Sequence, residues 1–509
     1  MTQLAPPHLA AEEKPWVLRH LWVLLGATLV LRVLVDLRFS LVPDEAVYWA
    51  WSRHLALGYF DHPPMIAWIN WLFSHLIGST ELGVRLPSTL LAVGTVAVIV
   101  TTARRIIADQ RAAGWVAIIW LVCPLLVGLA TISTPDTPAI FFSTCAIAVV
   151  LQIARGDDLG TGGSAAGLWM GFGFFCGLAF LSKYTTVLLP AGVILALLFS
   201  RPGRRHFARP WIYLAALLSI VIFSPVIWWN YRHGWASFLF QLHHGVGDDS
   251  GEPGVSGSWQ LLLVCRNLLV FLGGQAMLWT PVLFIIGLVI LVQDSIGFAR
   301  LGEVDRILFC CAALPLVLFA VASAHKVGEA NWPAFAYVPL SLLTGRWIAR
   351  KNSAMRSHAT YEGCKLALIF TVVLHVLFLP GVPRLLAHVP LPHAARDLAE
   401  TDWRAESRDL ATAADGAPVV CNRHQDAAEA SFYMPGQPDV WCDGVGSRPT
   451  AYDYFDVKPD FSTINRVLFV GGHAPQFIAK HGYTQSRTII IAAPSAGPRH
   501  WQSAVMVSR

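Results

Sequence analysis

The chain has 509 residues, of which 55% are hydrophobic and only 14% are charged. An average soluble domain carries about 25% charged residues, so this composition excludes an ordinary soluble enzyme. The formal net charge of +5 is small for this length and does not indicate nucleic-acid binding. Repeated long apolar runs instead predict a membrane protein, since about 20 apolar residues cross a bilayer.

The apolar runs predict a mostly helical, polytopic protein with about 11 transmembrane helices, within a range of roughly 10 to 13. The first run lacks a small-residue cleavage site, so we interpret it as a retained helix and not as a signal peptide. The predicted spans are 17–35, 84–103, 113–130, 138–154, 166–182, 186–200, 211–229, 277–293, 307–323, 333–349 and 365–381. Two further segments could each form a spanning helix or a helix that lies at the interface. The segment 259–275 is interrupted by Arg266 and Asn267, and the segment 62–77 is amphipathic.

Basic residues follow every even-numbered span, which places those connections in the cytoplasm by the positive-inside rule. They are Arg104, Arg105, Arg111, Arg155, Arg201, Arg204, Arg205, Arg209, Arg300, Arg306, Arg350, Lys351 and Arg356. The N-terminus is then cytoplasmic and the other loops face outward. Those outward loops carry nearly all candidate catalytic groups. The orientation of the chain was derived from basic residues in the cytoplasmic loops, so it is independent of these groups. This agreement predicts a site on the outer face of the membrane.

The composition changes near the end of the last predicted span and divides the chain into two parts. We expect a transmembrane domain at 1–383, with a first catalytic loop at 36–83 and a mobile loop at 230–258. The remainder, 384–509, is predicted to be a small extracytoplasmic α/β domain. Its segments "APVVCN", "RVLFVGG" and "TIIIAA" indicate short buried strands, and "HQDAAEASFY" and "PQFIAKHG" indicate helices between them.

Two of the nine cysteines, Cys421 and Cys442, lie in this predicted domain. An oxidising compartment would allow them to form a disulfide. Two separate buried thiols are the alternative, because the sequence does not give the distance between them.

The first predicted outer loop gathers acids, imidazoles and aromatic rings in "PDEAVYWAWSRHLALGYFDHPPM", residues 43–65. Asp44 and Glu45 open a helical pattern, where an acid caps the helix or serves as a catalytic group. The two roles are compatible, since a helix N-terminus keeps a carboxylate ionised. Asp61 and His62 precede two prolines and fit either a capped turn or a base or metal ligand. Asp44, Glu45 and Asp61 are therefore the predicted catalytic residues.

Further charged residues interrupt apolar runs on the same predicted face. Asp136, in "TPDTP", either caps the next helix or faces the substrate from a very short loop. Lys183, in "LSKYT", either extends to the interface or binds an anionic phosphate. Lys326 and Glu329, in "AHKVGEANW", pose the same choice.

A pair of histidines precedes an acidic, glycine-rich stretch in the predicted mobile loop. His243 and His244 are followed by "GVGDDSGEPGVSGS", which favours a flexible loop over a metal site. If a divalent metal ion is a cofactor, its candidate ligands are Asp61, His62, His243 and His244.

Four motifs in order resemble the dolichyl-phosphate-mannose-protein mannosyltransferase-like family of bacteria. That family includes the lipid A aminoarabinose transferases and the rhizobial galacturonic acid transferases. The motifs are "PDEAVYWAWSRHLALGYFDHPPMIAW", "TPDTP", "LSKYT" and "EANWPAFAY". The resemblance covers most of the chain and implies a GT-C fold with an active site on the outer membrane face. It also implies transfer of a sugar from a polyprenyl phosphate carrier, without specifying the sugar.

The motifs also imply roles for individual residues. The first-loop acid of the family corresponds to Asp44 or Glu45, the second-loop acid to Asp61, and the acid of the "TPD" motif to Asp136. Some relatives have Glu-Lys where this chain has Asp61-His62. The resemblance therefore does not decide whether Asp61 or His62 binds phosphate or metal.

The chemistry of glycosyl transfer assigns further roles. An acceptor hydroxyl needs a base within hydrogen-bond reach, and Asp44 is the candidate. The leaving lipid phosphate needs a cation, for which Lys183, an arginine or a metal ion could serve. The residues predicted to bind substrate or phosphate are Tyr59, His62, Asp136, Lys183, Lys326, Glu329 and Asn331.

The expected function is an integral membrane glycosyltransferase of the bacterial inner membrane. Its expected partners are a polyprenyl-phosphate-linked sugar donor, a hydroxyl acceptor on lipid A, a glycan or a protein, and the lipid bilayer. A transporter of lipid-linked sugars is the alternative. A transporter should place charges near the bilayer midplane, whereas these acids gather at one face.

Overall fold

The computed structural model describes residues 16–36, 40–156, 162–246, 258–351, 366, 369, 403–445, 448–491 and 503–509. Short helical turns link longer helices along this part of the chain. The helices of eight or more residues are Leu21–Asp36, Pro43–Arg53, Met65–Ile77, Glu81–Thr102, Gln110–Val122, Pro124–Thr131, Asp136–Arg155, Gly162–Ser182, Leu188–Leu198, Trp211–Arg232, Ala236–Val246, Ser258–Trp279, Pro281–Ile296, Glu303–His325, Tyr337–Lys351, Trp403–Ala414, His424–Tyr433 and Ala474–His481.

Six of the described helices are long and apolar enough to cross a membrane, or up to eight spans if each of two bent helix pairs is counted as one. The helix Ser258–Trp279 covers 259–275, the segment whose assignment was left open because Arg266 and Asn267 interrupt it. It is one of the six helices that could cross a membrane. The helix Met65–Ile77 is short, as its amphipathic pattern suggested. The predicted span at 365–381 lies outside the described residues, apart from Leu366 and Ile369. The predicted mostly helical membrane fold is confirmed, and the number of spans stays a prediction.

One predicted span is broken by a proline. The run 113–130 forms two helices that meet at Cys123 and Pro124 with a bend of 55°. Proline lacks the N–H that would continue the first helix, but it fits the first position of the next one.

The helices Gly162–Ser182 and Trp211–Arg232 pack closely because one of them presents glycine. A Cβ atom at Gly173 would clash with the backbone carbonyl of Ala215, and one at Gly177 would clash with Ile222. Small residues allow such close approach between membrane helices.

The described C-terminal part, from Trp403 onward, contains a five-stranded sheet with helices, as predicted. The strand order is β2-β1-β3-β5-β4, in which β1 pairs in parallel with β2 and β3, and β5 pairs antiparallel with β3 and β4. The strands are β1 Val419–Cys421, β2 Trp441–Cys442, β3 Arg466–Val470, β4 Gln485–Ile490 and β5 Ser503–Ser508. β1 and β3 lie in two of the predicted strand segments. β4 overlaps the third, "TIIIAA", only at residues 488–490 and is mostly exposed, so the prediction of a buried strand there is wrong. β2 and β5 were not predicted.

This C-terminal domain shares a hydrophobic core with the first loop of the membrane part. The rings of Trp49 and Phe432 meet edge to face with centroids 4.8 Å apart. The hydroxyl of Tyr433 accepts a hydrogen bond from the backbone N–H of Leu41 at 2.6 Å. The two parts of the chain are therefore joined beside the motif that contains Asp44.

Candidate active site

The helix Pro43–Arg53, called the site helix below, presents its two acids in different directions. Pro43 occupies the first position, where its missing N–H costs nothing. Neighbouring side chains on a helix are about 100° apart. Glu45 is therefore fully buried, while Asp44 is exposed.

Glu45 is held by protein donors on both carboxylate oxygens. Arg85 binds it with Nη2 2.6 Å from Oε2 and Nε 3.0 Å from Oε1. The backbone N–H groups of Val42 and Ser133 donate to it at 2.9 and 2.8 Å. The predicted catalytic residue Glu45 thus joins the first loop to two neighbouring segments and is not presented to a substrate.

Asp44 lies among other acids at the start of the site helix. Although part of the residue is exposed, the surrounding protein removes water from its carboxyl group and so raises the pKa, and the negative charges of Glu329, Asp61 and Glu45 raise it further. A hydrogen bond from the Gln425 side chain opposes this effect. Asp44 therefore combines access to solvent with a higher proton affinity than an ordinary aspartate, which suits a general base.

Asp136, Lys183 and Asn331 form a second polar group. Lys183 Nζ lies 2.6 Å from Asp136 Oδ1, and the two side chains are only 8% and 7% exposed. Asn331 Nδ2 donates to Asp136 Oδ2 at 2.8 Å. The N-cap position of the helix Asp136–Arg155 is Pro135, which makes no side-chain cap, and the Lys183 side chain is buried. The structure thus brings three of the predicted residues together from three distant motifs.

Tyr48 connects the two groups. It lies one helical turn after Asp44, and the charges of Asp44, Asp136, Asp61 and Glu329 all raise the pKa of its buried hydroxyl, after burial itself. These four predicted acids therefore surround one position at the site helix.

Asp61 and His62 point to different neighbours. Asp61 Oδ1 accepts a bond from Arg448 Nη1 at 2.8 Å, and its backbone carbonyl accepts one from Gln241 at 2.6 Å. The half-buried imidazole of His62 lies against Tyr48, with ring centroids 6.0 Å apart.

Tyr59 packs within the loop and is only 2% exposed. Its ring stacks on Trp51 with centroids 4.5 Å apart. Its hydroxyl donates toward the carbonyls of Trp51 and His54 and accepts from the backbone of Ala56. The predicted substrate contact of Tyr59 is therefore replaced by a structural role.

Three other predicted residues lie in, or directly after, two other helices. Lys326 is half-buried and follows the helix Glu303–His325 directly. His243 is exposed, and its Nδ1 pairs with the carbonyl of Leu239 one turn earlier. His244 lies in the helix Ala236–Val246, and the acids that follow it lie outside the described residues.

The candidate metal ligands do not come together in the described part of the chain. No group of three or more histidine, cysteine, aspartate or glutamate side chains there has a geometry that could hold a metal ion. Asp61 is paired with Arg448, and His62 lies against aromatic rings. A divalent metal cofactor therefore stays a prediction.

Cys421 and Cys442 face each other across the parallel strands β1 and β2, and both are free thiols. Cys421 is buried and Cys442 is half-buried. The structure therefore contains two separate thiols at these positions, and not the disulfide that was the other possibility.

The sequence analysis missed the contribution of the C-terminal domain to this site. Gln425 contacts Asp44, and Arg448 contacts Asp61. His424, beside Gln425, feels the charges of Asp61 and Arg448. The available signal was "CNRHQD", because polar residues that follow the carboxyl end of a parallel strand often line a site.

Comparisons with known proteins agree with this geometry. Residues 61–229 match the family model described as dolichyl-phosphate-mannose-protein mannosyltransferase. A lipid A galacturonosyltransferase from Rhizobium johnstonii is 26% identical over 407 residues, which cover 77% of this chain and 76% of that protein. An undecaprenyl phosphate-alpha-4-amino-4-deoxy-L-arabinose arabinosyl transferase from Sodalis glossinidius is 28% identical over 66% of this chain. The chain spans only 60% of the length of that second relative.

Solved structures share the fold over nearly the whole chain. The crystal structure of ArnT from Cupriavidus metallidurans in the apo state superposes with a TM-score of 0.60 at 17% identity. The match covers 96% of this chain and 98% of ArnT. An oligosaccharyltransferase from Archaeoglobus fulgidus superposes with a TM-score of 0.51 at 13% identity, covering 90% of this chain and 70% of the other.

The fold and the one-sided acidic site define a membrane protein of the GT-C type, which confirms the predicted fold class. The resemblance seen in the motifs is also confirmed: residues 61–229 match the model of the dolichyl-phosphate-mannose-protein mannosyltransferase family. The predicted class of enzyme, a glycosyltransferase, agrees with that family and with both relatives.

Proposed function

We propose that this chain transfers a sugar from a polyprenyl phosphate to a hydroxyl group of lipid A or a similar acceptor at the outer face of the inner membrane. The relatives named above are lipid A and undecaprenyl phosphate sugar transferases, and the ArnT structure was also solved with undecaprenyl phosphate bound. The observation that carries the proposal for this chain is the position of Asp44 at the start of the site helix, where desolvation first, and then the charges of Glu329 and Asp61, raise the pKa of its carboxyl group.

Asp44 is the proposed general base. The acceptor hydroxyl gives its proton to the Asp44 carboxylate while its oxygen bonds to the anomeric carbon of the sugar. The bond between that carbon and the phosphate oxygen breaks, and its electron pair leaves with the lipid phosphate. Neighbouring carboxylates favour the positive charge that develops on the sugar. Direct displacement predicts inversion at the anomeric carbon.

Lys183 is the proposed cation for the leaving phosphate. It follows directly on the membrane helix Gly162–Ser182, so it stands at the level where a membrane-anchored phosphate would lie. Asp136 holds the ammonium group in position, and Asn331 in turn donates a hydrogen bond to Asp136. A fixed positive charge in a site with little water stabilises developing negative charge strongly.

The test uses proteoliposomes with undecaprenyl phosphate carrying several radiolabelled sugars, and lipid A as acceptor. Wild-type protein should move label to lipid A, and Asp44→Asn should reduce the rate at least 100-fold, as expected for loss of a general base. Asp456→Asn, at an exposed aspartate of the C-terminal domain, is the matched control and should keep the wild-type rate.

Loss of folding would not explain loss of activity in Asp44→Asn. Burial and nearby acids oppose the charge on Asp44, so the neutral side chain should leave the protein at least as stable as wild type. Equal rates for Asp44→Asn and wild type would refute the assignment of the base. Absence of transfer by wild type with every donor would refute the proposed function.

A further inference from the structure

The C-terminal domain places three basic side chains at the candidate site. Arg423, His424 and Arg448 are named the basic cluster here. Arg448 is paired with Asp61, and the charges of Arg448, Arg423 and Asp61 all act on His424. Arg423 and Arg448 are exposed. We propose that the basic cluster, with Arg448 as the main contact, binds an oxyanion of a substrate, either a phosphate or a carboxylate; this rests on the proposed function.

Arg448 is fixed in place although half of its side chain is exposed. Its Nη1 lies 2.8 Å from Asp61 Oδ1, and its guanidinium carbon lies 4.8 Å from the ring centroid of Phe240. Phe240 in turn packs on Phe60 with centroids 4.7 Å apart. Two different segments of the membrane part therefore hold one arginine of the C-terminal domain.

The guanidinium of Arg448 keeps donors for a ligand. Its recorded hydrogen bonds, to Asp61 and to the carbonyl of Pro449, both use Nη1. Within the described part of the chain, no acceptor is recorded for Nε or Nη2. A guanidinium binds a carboxylate or a phosphate through two parallel N–H bonds, and such a site is far less favourable for lysine.

Stability alone does not account for this arrangement. An ion pair whose arginine is half exposed contributes little to folding. An arginine held over an aromatic ring, with donors remaining on Nε and Nη2, is instead preorganised for a ligand, which reduces the entropy lost on binding.

The ligand of Arg448 differs from the lipid phosphate of the donor. The donor phosphate stays at membrane level because its lipid is in the bilayer, and Lys183 follows a membrane helix directly. Arg448 belongs to the C-terminal domain and pairs with Asp61. Its oxyanion must therefore come from the far side of the reaction, as a phosphate on the acceptor glycolipid or a carboxylate on the transferred sugar.

The test measures binding and transfer for wild type, Arg448→Gln and Arg466→Gln. Arg466 is the matched control, because it is also about half exposed and also pairs with an aspartate, Asp415. Acceptor probes are a phosphorylated glucosamine disaccharide lipid and its phosphatase-treated form. Donor probes are undecaprenyl phosphates that carry a hexuronic acid or the neutral hexose of the same configuration.

Wild type and Arg466→Gln should bind one anionic probe more tightly than its neutral counterpart, and Arg448→Gln should lose about tenfold or more of that preference. Loss confined to the acceptor pair assigns the phosphate, and loss confined to the donor pair assigns the carboxylate. Weaker transfer with all probes and an unchanged preference would mean that Arg448 only positions Asp61, which overturns the proposal.

Absence of any preference in wild type would overturn it as well. The binding measurement does not depend on turnover. A wild-type protein that binds the anionic probe selectively but transfers no sugar would therefore refute the proposed function and leave this inference intact.

Discussion

Lys183 and Asp136 form a nearly buried ion pair, and the second carboxylate oxygen of Asp136 accepts a hydrogen bond from Asn331. This relationship connects three motifs that are far apart in sequence. It also sets a condition on the site, because a charge at this depth is stable only while its partner is present.

Replacement of Lys183 by methionine should therefore damage both stability and activity. Removing one partner of a buried ion pair typically costs about 3–5 kcal/mol, because the other charge stays buried. The variant should show a lower midpoint of thermal unfolding in detergent and lose transfer activity. Lys458→Met, at an exposed lysine, is the control and should change neither.

Asn331→Ala separates the two effects of that group. It removes one hydrogen bond to a charged carboxylate, which is worth about 1.5–3 kcal/mol, but it keeps the Lys183 ammonium group. Its activity should fall less than that of Lys183→Met. Equal loss of activity in both variants would mean that Lys183 serves only the structure of the site.

The acid limb of the pH–rate profile should depend on Glu329. Asp44 acts as a base only when it is ionised, so the rate should fall as pH drops through its pKa. The charge of Glu329 raises that pKa, and Glu329→Gln should therefore move the acid limb to lower pH. The measurement is the rate of transfer against pH for both proteins, with Asp415→Asn as an exposed control.

An acid limb that stays in place in Glu329→Gln would contradict this assignment. It would mean that the group titrating in the rate profile is not under the influence of Glu329. The general base would then have to be sought among acids with other neighbours, beginning with Asp61 and its partner Arg448.

The sequence predicted the helical membrane fold well because long apolar runs carry a direct physical signal. It also singled out Asp136, Lys183 and Asn331, but it did not predict that these three side chains contact one another. It could not separate Asp44 from Glu45. Both are acids in the first turn of one helix, and only the position of Arg85 decides which of them is buried.

The contribution of the C-terminal domain could not be predicted from the sequence either. Arg448 and Gln425 lie more than 350 residues after the acids that they contact, and nothing in the local pattern indicates how the domain docks. The shared core of the two parts, built around contacts such as Trp49 with Phe432, fixes that arrangement.

Glu45 and Arg85 should behave as a structural pair. Glu45→Gln leaves the Arg85 guanidinium buried without its counter-charge, so we expect a loss of about 3–5 kcal/mol in the free energy of unfolding. The double variant Glu45→Gln/Arg85→Met removes both charges and should be less destabilised than the single variant. Chemical unfolding in detergent measures both, and a catalytic Glu45 would instead give a stable, inactive single variant.

Glu429 should make the stability of the folded protein fall as pH rises from mild acid. It is fully buried on the helix His424–Tyr433, and neither carboxylate oxygen has a hydrogen-bond partner among the described residues. Burial first, and then the charge of Glu45, raise the pKa of Glu429 well above its usual value, while Arg85 opposes this only in part. The folded structure therefore favours the neutral form of Glu429 over its carboxylate.

A carboxyl group whose pKa is raised by folding stabilises the folded state while it stays protonated, and this contribution is lost as pH rises through the folded-state pKa. Glu429→Gln keeps the shape and the neutral charge at every pH. Wild type should therefore lose stability relative to Glu429→Gln as pH rises above the ordinary glutamate pKa of about 4.3, whereas the two should differ little below that pH. Parallel unfolding curves across that range would show that Glu429 is ionised in the folded protein, and its counter-charge would then have to be Arg85.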